Sequence, residues 1–139
     1  MVSWPGICLD TDVCVDLLRG RTSLERLSSR LLPGAVTWIS SISLSELEYS
    51  IPRASAPATA RVRVSWLLEF VGVRSFDARA AAAAGLLRYR LSRSGQGIGP
   101  WNTLIGAHAL AEEATLVTRN VREFGRIDGL TIVDFQSAV

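Results

Sequence analysis

Lysine is absent from this chain of 139 residues, and all 15 of its basic side chains are arginine. Any mechanism that needs a lysine amine, as a Schiff base or as a neutralising partner for a phosphorylated carboxylate, is thereby excluded. Cysteine is scarce. Cys8 and Cys14 stand six residues apart with no CxxC spacing and no histidine pair nearby, which excludes a thiolate zinc centre and a dithiol redox motif. Two buried, reduced thiols in a cytoplasmic protein are the expectation. Histidine occurs once, as His108 in the middle of an apolar helix, and without a partner it reads as a structural residue. No apolar run approaches the roughly 20 residues of a membrane helix; the longest in a helix, Ala80 to Leu87, is bracketed by Arg79 and Arg88. The amino-terminal MVSWPGICLD has neither a basic n-region nor a long apolar h-region. A soluble chain with no membrane association is expected.

What is present is ordinary for a folded globule: 48% hydrophobic and 20% charged residues, with a formal charge of +2. That balance excludes a disordered tail and neither requires nor excludes a polyanionic partner. The length suits one domain over residues 1–139 with a two- or three-layer core.

The order of elements follows from periodicity and breakers. Ile7-Cys8-Leu9 predicts a strand that runs through Asp10 into a helix carrying Val13, Cys14, Leu17 and Leu18, stopped by Gly20. Ser23 can cap a second helix, Leu24 to Leu32, ended by Pro33-Gly34. Ala35 to Ile39 reads as the second strand, and a helix with Leu44, Leu47 and Tyr49 follows. Pro52 to Pro57 reads as a loop, then a helix from Ala58 to Phe70, a short strand at Val71-Gly72-Val73, and a long helix from Asp77 to about Leu91. Gly97, Gly99 and Pro100 break that helix, and Asn102 is placed as the N-cap of the next. Ala114 to Val117 forms a fourth strand, followed by a polar loop from Thr118 to Phe124, and Leu130 to Val133 a final strand. Strands alternating with helices in this way predict an α/β fold: a mainly parallel sheet with helices on both faces.

Acidic or amide residues fall at strand ends or helix starts: Asp10, Glu46, Asn102 and Glu123. In a doubly wound sheet those positions converge on one crevice. Neighbouring carboxylates repel, and oxygen ligands without paired cysteine or histidine suit a hard cation, Mg²⁺ or Mn²⁺. Such centres suit phosphodiester cleavage. Each residue also has a plainer explanation. Asp10 or Thr11 can cap a helix, although Asp10-Thr11-Asp12 supplies more polar groups than a cap needs. Ser43 and Glu46 match a capping box, and Asn102 is a good cap. Glu123 between Arg122 and Arg126 can be a solvated charge, Asp77 a cap, and Arg88, Arg90 and Arg93 a wet helix face. The functional case rests on joint placement.

Four segments resemble the PIN-domain ribonucleases, specifically the VapC toxins of toxin–antitoxin pairs. Leu9-Asp10-Thr11-Asp12 is similar to the opening LDTN/LDTD of that family. Ile39 to Tyr49 is similar to ISSITLAELEY, Ile98 to Ala109 to IGPNDLLIAAHA, and Ala114 to Phe124 to ATLVTxNxREF. The resemblance covers nearly the whole chain. It implies a three-layer PIN-like domain, a Mg²⁺- or Mn²⁺-dependent endoribonuclease, a homodimer, and a cognate VapB-like antitoxin that blocks the crevice. Carried over by position, Asp10, Glu46 and Glu123 are the metal-site carboxylates, with position 102 the fourth corner; Thr118 and Asn120 orient ligands or the attacking water.

Asn102 departs from the family, which places an aspartate there. The amide leaves one fewer anionic ligand, so the fold is expected to survive and the chemistry to weaken. The residue is either a natural weakening or a replacement that tames a toxic enzyme; the intact motif around it favours replacement. A catalytically dead RNA- or antitoxin-binding protein is the second reading. A third, a haloacid-dehalogenase-type phosphotransferase with Asp10 as nucleophile and Asp12 as acid, fails on the missing lysine.

Overall fold

Ile7, Cys8 and Leu9 are all buried, as a parallel strand covered on both faces requires. The computed structural model describes residues 6–30 and 35–138. In chain order these form β1 (Ile7–Leu9), α1 (Thr11–Leu18), α2 (Leu24–Arg30), β2 (Thr37–Ser40), α3 (Ser41–Arg53), α4 (Pro57–Phe70) and β3 (Gly72–Arg74). Then follow α5 (Ala78–Ser94), α6 (Pro100–Ala111), β4 (Thr115–Thr118), α7 (Val121–Phe124), β5 (Ile132–Asp134) and α8 (Phe135–Ala138). The expected end of the second helix, Leu31 to Gly34, lies outside the described residues.

The five strands pair in the order β3-β2-β1-β4-β5, and every pairing is parallel. Side-chain alternation sorts the sheet into two cores. Cys8 stands in register with Trp38 and Leu116, and all three face Leu87, Ile105, Phe124 and Ile127. Leu9, Ile39 and Val117 face the other way, toward Val13, Leu47, Val64 and Leu67. Helices α1, α3 and α4 thus cover one face, with α5 and α6 on the other, which is the three-layer arrangement expected. Cys8 and Cys14 are free thiols in opposite cores, and burial pushes both thiol pKa values up, away from reactivity. Among the described residues, no helix is long and apolar enough to cross a membrane.

Strand order places the site. The chain winds outward from β1 to β2 and β3, then crosses back to lay β4 on the other side of β1. The carboxyl ends of β1 and β4 are therefore the switch point at which open α/β sheets leave a crevice. Asp10 follows β1 there, its N–H bonded to Val117 O at 3.0 Å, and Thr118 ends β4.

Three local expectations need correction. Helix α3 starts at Ser41 rather than near Ser43, because Ser40 at the strand end is its N-cap and accepts from Ile42 N at 3.1 Å. The Ser43–Glu46 capping box therefore does not form, and Glu46 sits inside the helix, free for other partners. Pro52 belongs to the last turn of α3 rather than to a loop; there its missing N–H costs a single helical bond, and the helix ends one residue later. Asn102 is not an N-cap. Pro100, its φ already helical, takes the first position of α6 with Gly99 as cap, which leaves Asn102 third in the helix. Asp77 caps α5 as expected, accepting from Ala80 N at 2.9 Å. His108 is buried between the Trp38 and Phe76 rings, with Nδ1 2.8 Å from Ser40 Oγ, and so holds β2 to α6.

Candidate active site

Asp10 is 3% exposed, and its carboxylate is held from two strands' ends. Thr11 N donates to Oδ1 at 2.8 Å and the Thr118 hydroxyl to Oδ2 at 2.7 Å. Helix α3 lies beside α1, and across that seam Thr11 Oγ1 donates to Glu46 Oε1 at 2.7 Å, with Ser43 Oγ 3.0 Å from the same hydroxyl. On the other side, Thr118 Oγ1 accepts from Asn120 N at 2.9 Å, which turns the chain into α7. Asn120 then works twice: its Oδ1 accepts from Glu123 N at 3.3 Å and its Nδ2 donates to Glu123 Oε2 at 2.9 Å. Glu123 Oε1 accepts from Gly99 N at 2.6 Å, and Asn102 Nδ2 lies 3.5 Å from Oε2.

The result is one continuous polar seam. It runs from Glu46 through Thr11, Asp10, Thr118, Asn120 and Glu123 to Asn102, across elements spread from residue 10 to residue 123. Seven of the eight residues singled out in the sequence lie on it. The eighth, Asp12, reaches it through charge. Its Oδ2 is 3.8 Å from Arg119 Nε, which also meets Asp16 Oδ2 at 3.3 Å, while Arg21 Nη1 meets Asp16 Oδ1 at 3.2 Å. This Asp16–Arg119 clamp was not anticipated; its signal was an acid on the face of α1 that carries Val13 and Leu17, where only a paired carboxylate is stable. Helix α7 was also missed, though Asn120 followed by Glu123 at the fourth place has the spacing of a capping box.

Electrostatics divide the seam in two. Burial, and then the charge of Asp12, raise the Asp10 pKa to about 7, with the Thr118 and Thr11 hydrogen bonds pulling only partly back. Burial also raises Asp12, against hydrogen bonding with the Asp10 carboxyl and the pull of Arg119. Glu123 goes the other way: the Gly99 N–H and the Asn120 amide hold it below its usual range. One end is thus short of positive charge while the other is satisfied by neutral donors. Asp12 Oδ1 is buried and meets no hydrogen-bond donor among the described residues. A raised acid beside an unpartnered carboxylate oxygen fits a cation. The donors are all oxygen, which selects a hard ion over zinc. Among the described residues, no three acidic, imidazole or thiol side chains lie close enough to hold an ion unaided. Mg²⁺, which keeps several waters and needs one or two carboxylates, fits that donor set.

Thr118 joins the halves, so its hydroxyl should matter to both. In Thr118→Val, Asp10 loses a donor and Asn120 N an acceptor. The fold should lose about 1–3 kcal/mol, the cost of unsatisfied buried polar groups. Urea denaturation checks this, with Thr118→Ser expected to retain most of the stability. An unchanged midpoint in the valine variant would contradict the linking role.

The sequence model of the PIN domain matches residues 7–130. The chain belongs to the PIN-domain family. Within it, the chain is 32% identical over 127 residues to the tRNA(fMet)-specific endonuclease VapC of Shigella flexneri, covering 91% of this chain and 96% of that one. It is 34% identical over 125 residues to ribonuclease VapC2 of Rickettsia felis, covering 89% and 93%. The crystal structure of VapBC2 from Rickettsia felis, bound to a DNA fragment from its promoter, superposes with a TM-score of 0.86. That match has 31% identity and covers 92% of this chain and 97% of the other. The chain is thus a PIN-domain protein similar along nearly its whole length to VapC ribonucleases, as its four motifs imply.

Proposed function

We propose that this chain, a single PIN domain over residues 1–139, is the toxin of a type II toxin–antitoxin pair and a Mg²⁺- or Mn²⁺-dependent endoribonuclease that acts in the cytoplasm. The observation that carries the reading is the continuous seam from Glu46 to Asn102, which gathers three acids, Asp10, Glu46 and Glu123, and the amide of Asn102 at the switch point of the sheet. A divalent ion there would activate water and offset charge on a phosphodiester. Asp10, Glu46 and Glu123 would hold it, directly or through water, with the amide oxygen of Asn102 in place of a fourth carboxylate. Thr11 and Thr118 keep the two acids oriented, and Asn120 fixes Glu123 at the far corner. With an amide at 102, the cation site is short of one charge and activity is low.

The partner in this reading is a VapB-like antitoxin, bound to a homodimer of the chain. A groove of about 380 Å³ between the end of α1 and α4, lined by Leu17, Leu18, Val62 and Trp66 with flanking Arg19 and Arg63, supports an apolar segment as occupant. From there an antitoxin arginine would reach the acids, since its planar fork suits carboxylates. The test is cleavage of a panel of structured RNAs by the Asn102→Asp form. Cleavage should need Mg²⁺, stop in EDTA, and stop on adding the product of the neighbouring reading frame. Cleavage that persists in EDTA would contradict the reading.

One observation favours a second reading, a protein that binds RNA or antitoxin without cutting: the amide of Asn102 lies 3.5 Å from Glu123 in place of a fourth metal-site acid. Inactivity of both the parent and the Asn102→Asp form on that panel would support it.

A further inference from the structure

The acidic seam opens onto a groove of about 600 Å³ whose walls are not acidic. Glu46 and Thr11 line it where it meets the seam, and Tyr49, Arg53 and Trp101 line the rest together with Ser45 and Ser50. On α3, Glu46, Tyr49 and Arg53 are spaced by three and four residues, so they form a single stripe leading away from the acids. Trp101 comes from the first turn of α6, next to Asn102. Both aromatic residues are more open than any core role requires: Tyr49 is 66% and Trp101 52% exposed. The Arg53 guanidinium sits 4.9 Å from the centre of the Tyr49 ring, so one ring face is already stacked.

An exposed indole beside a phenol–guanidinium pair, at the rim of an acidic centre, is poorly explained by packing. It has the chemistry of a single-stranded nucleic-acid platform, in which bases stack on aromatic rings and arginine meets the backbone phosphate. The volume is in the range of small-ligand sites and admits one nucleotide. A double helix cannot present a stacked base to such a groove, whereas an unpaired loop nucleotide can. We propose that this groove is the subsite for an unpaired nucleotide next to the scissile phosphate, with its base stacked on Trp101 and its phosphate paired with Arg53. This rests on the ribonuclease reading above and adds to it a requirement for single-stranded RNA. Position 101 is asparagine in the family pattern that the surrounding motif matches, so Trp101 is a feature of this chain rather than of the shared chemistry.

The experiment uses a fluorescein-labelled RNA stem-loop and the same RNA with an abasic residue in its loop. Anisotropy in EDTA should show Trp101→Ala binding the intact stem-loop about tenfold more weakly than the parent, with Trp101→Phe retaining most of the affinity. The parent should bind the abasic RNA as weakly as Trp101→Ala binds the intact one. In the Asn102→Asp background with Mg²⁺, Trp101→Ala should raise KM about tenfold and leave kcat within about twofold, a split that a merely structural residue would not produce. Equal affinity of parent and Trp101→Ala for the intact RNA, while the Asn102→Asp form cleaves it, would overturn the subsite and leave the ribonuclease reading standing. Trp101-dependent RNA binding without cleavage in any variant would overturn the ribonuclease reading and leave the subsite. Loss of antitoxin binding in Trp101→Ala with RNA affinity unchanged would make this a protein-binding surface and overturn the proposal.

Discussion

Replacing Asn102 with aspartate should raise the rate of Mg²⁺-dependent RNA cleavage by about a thousandfold, roughly 4 kcal/mol of transition-state stabilisation. The amide contributes no charge to a centre whose remaining acids are Asp10, Glu46 and Glu123, and Glu123 is already bound by the Gly99 N–H and the Asn120 amide. A carboxylate at 102 would add the charge that an ion needs to be held and its water positioned. The structure also sets the cost. Asn102 does not cap α6, so the near-equivalence of asparagine and aspartate at caps does not apply. Its amide nitrogen lies 3.5 Å from Glu123 Oε2, and aspartate would place two negative charges there. At that distance in a water-exposed setting the repulsion is about 1 kcal/mol, and a first-turn acid recovers about half of it from the helix dipole. The Asn102→Asp form should therefore melt slightly lower than the parent without metal and higher with it. Single-turnover cleavage and calorimetry in EDTA and in Mg²⁺ measure both. Equal cleavage rates for the two forms would show that position 102 has no part in the chemistry.

The second large effect is a dependence of stability on pH that metal reduces. Folding raises the Asp10 pKa from 3.8 to about 7. Between those values the folded state holds a proton that the unfolded chain has released, so stability falls as pH rises from about 4 to about 7. At about 1.4 kcal/mol per unit the loss is on the order of 4 kcal/mol, shared with Asp12, whose pKa is also raised. His108 opposes it. Burial lowers its pKa from 6.5, so its contribution is lost as pH falls below that value. Subtracting the Asp10→Asn curve isolates the Asp10 term. Denaturation between pH 5 and 8 should show the parent losing stability toward pH 8 relative to Asp10→Asn, and millimolar Mg²⁺ should restore part of it in the parent alone, since an ion that binds only the folded state stabilises it. Parallel curves for the two proteins, with or without Mg²⁺, would contradict the assignment.

Much of this was legible in the chain. Asp10, Glu46 and Glu123 could be placed on one edge because buried strands and helix periodicity predict the parallel sheet, and a parallel sheet has one carboxyl edge. Trp38 and Ile39 read as strand residues because β-branched and aromatic side chains crowd that stretch. Helix starts were less legible, since adjacent capping residues compete: Ser40 prevailed over Ser43, and Gly99-Pro100 over Asn102. In both cases the winner was the residue nearer the preceding break, where the backbone was already extended. Asp16 and Arg119 are 103 positions apart in the chain; the buried face of α1 signals that Asp16 needs a cation, but nothing local names Arg119 as that cation. Helix α7 is four residues long, too short for periodicity to register, and only its capping pair marks it.

Calorimetric titration of Mn²⁺ into metal-free protein decides whether these acids bind a divalent cation. The parent should bind weakly, Asn102→Asp at least tenfold more tightly, and Asp10→Ala, with its folding confirmed by circular dichroism, not at all. Absence of binding by the Asn102→Asp form, or the same affinity in Asp10→Ala as in the parent, would contradict it.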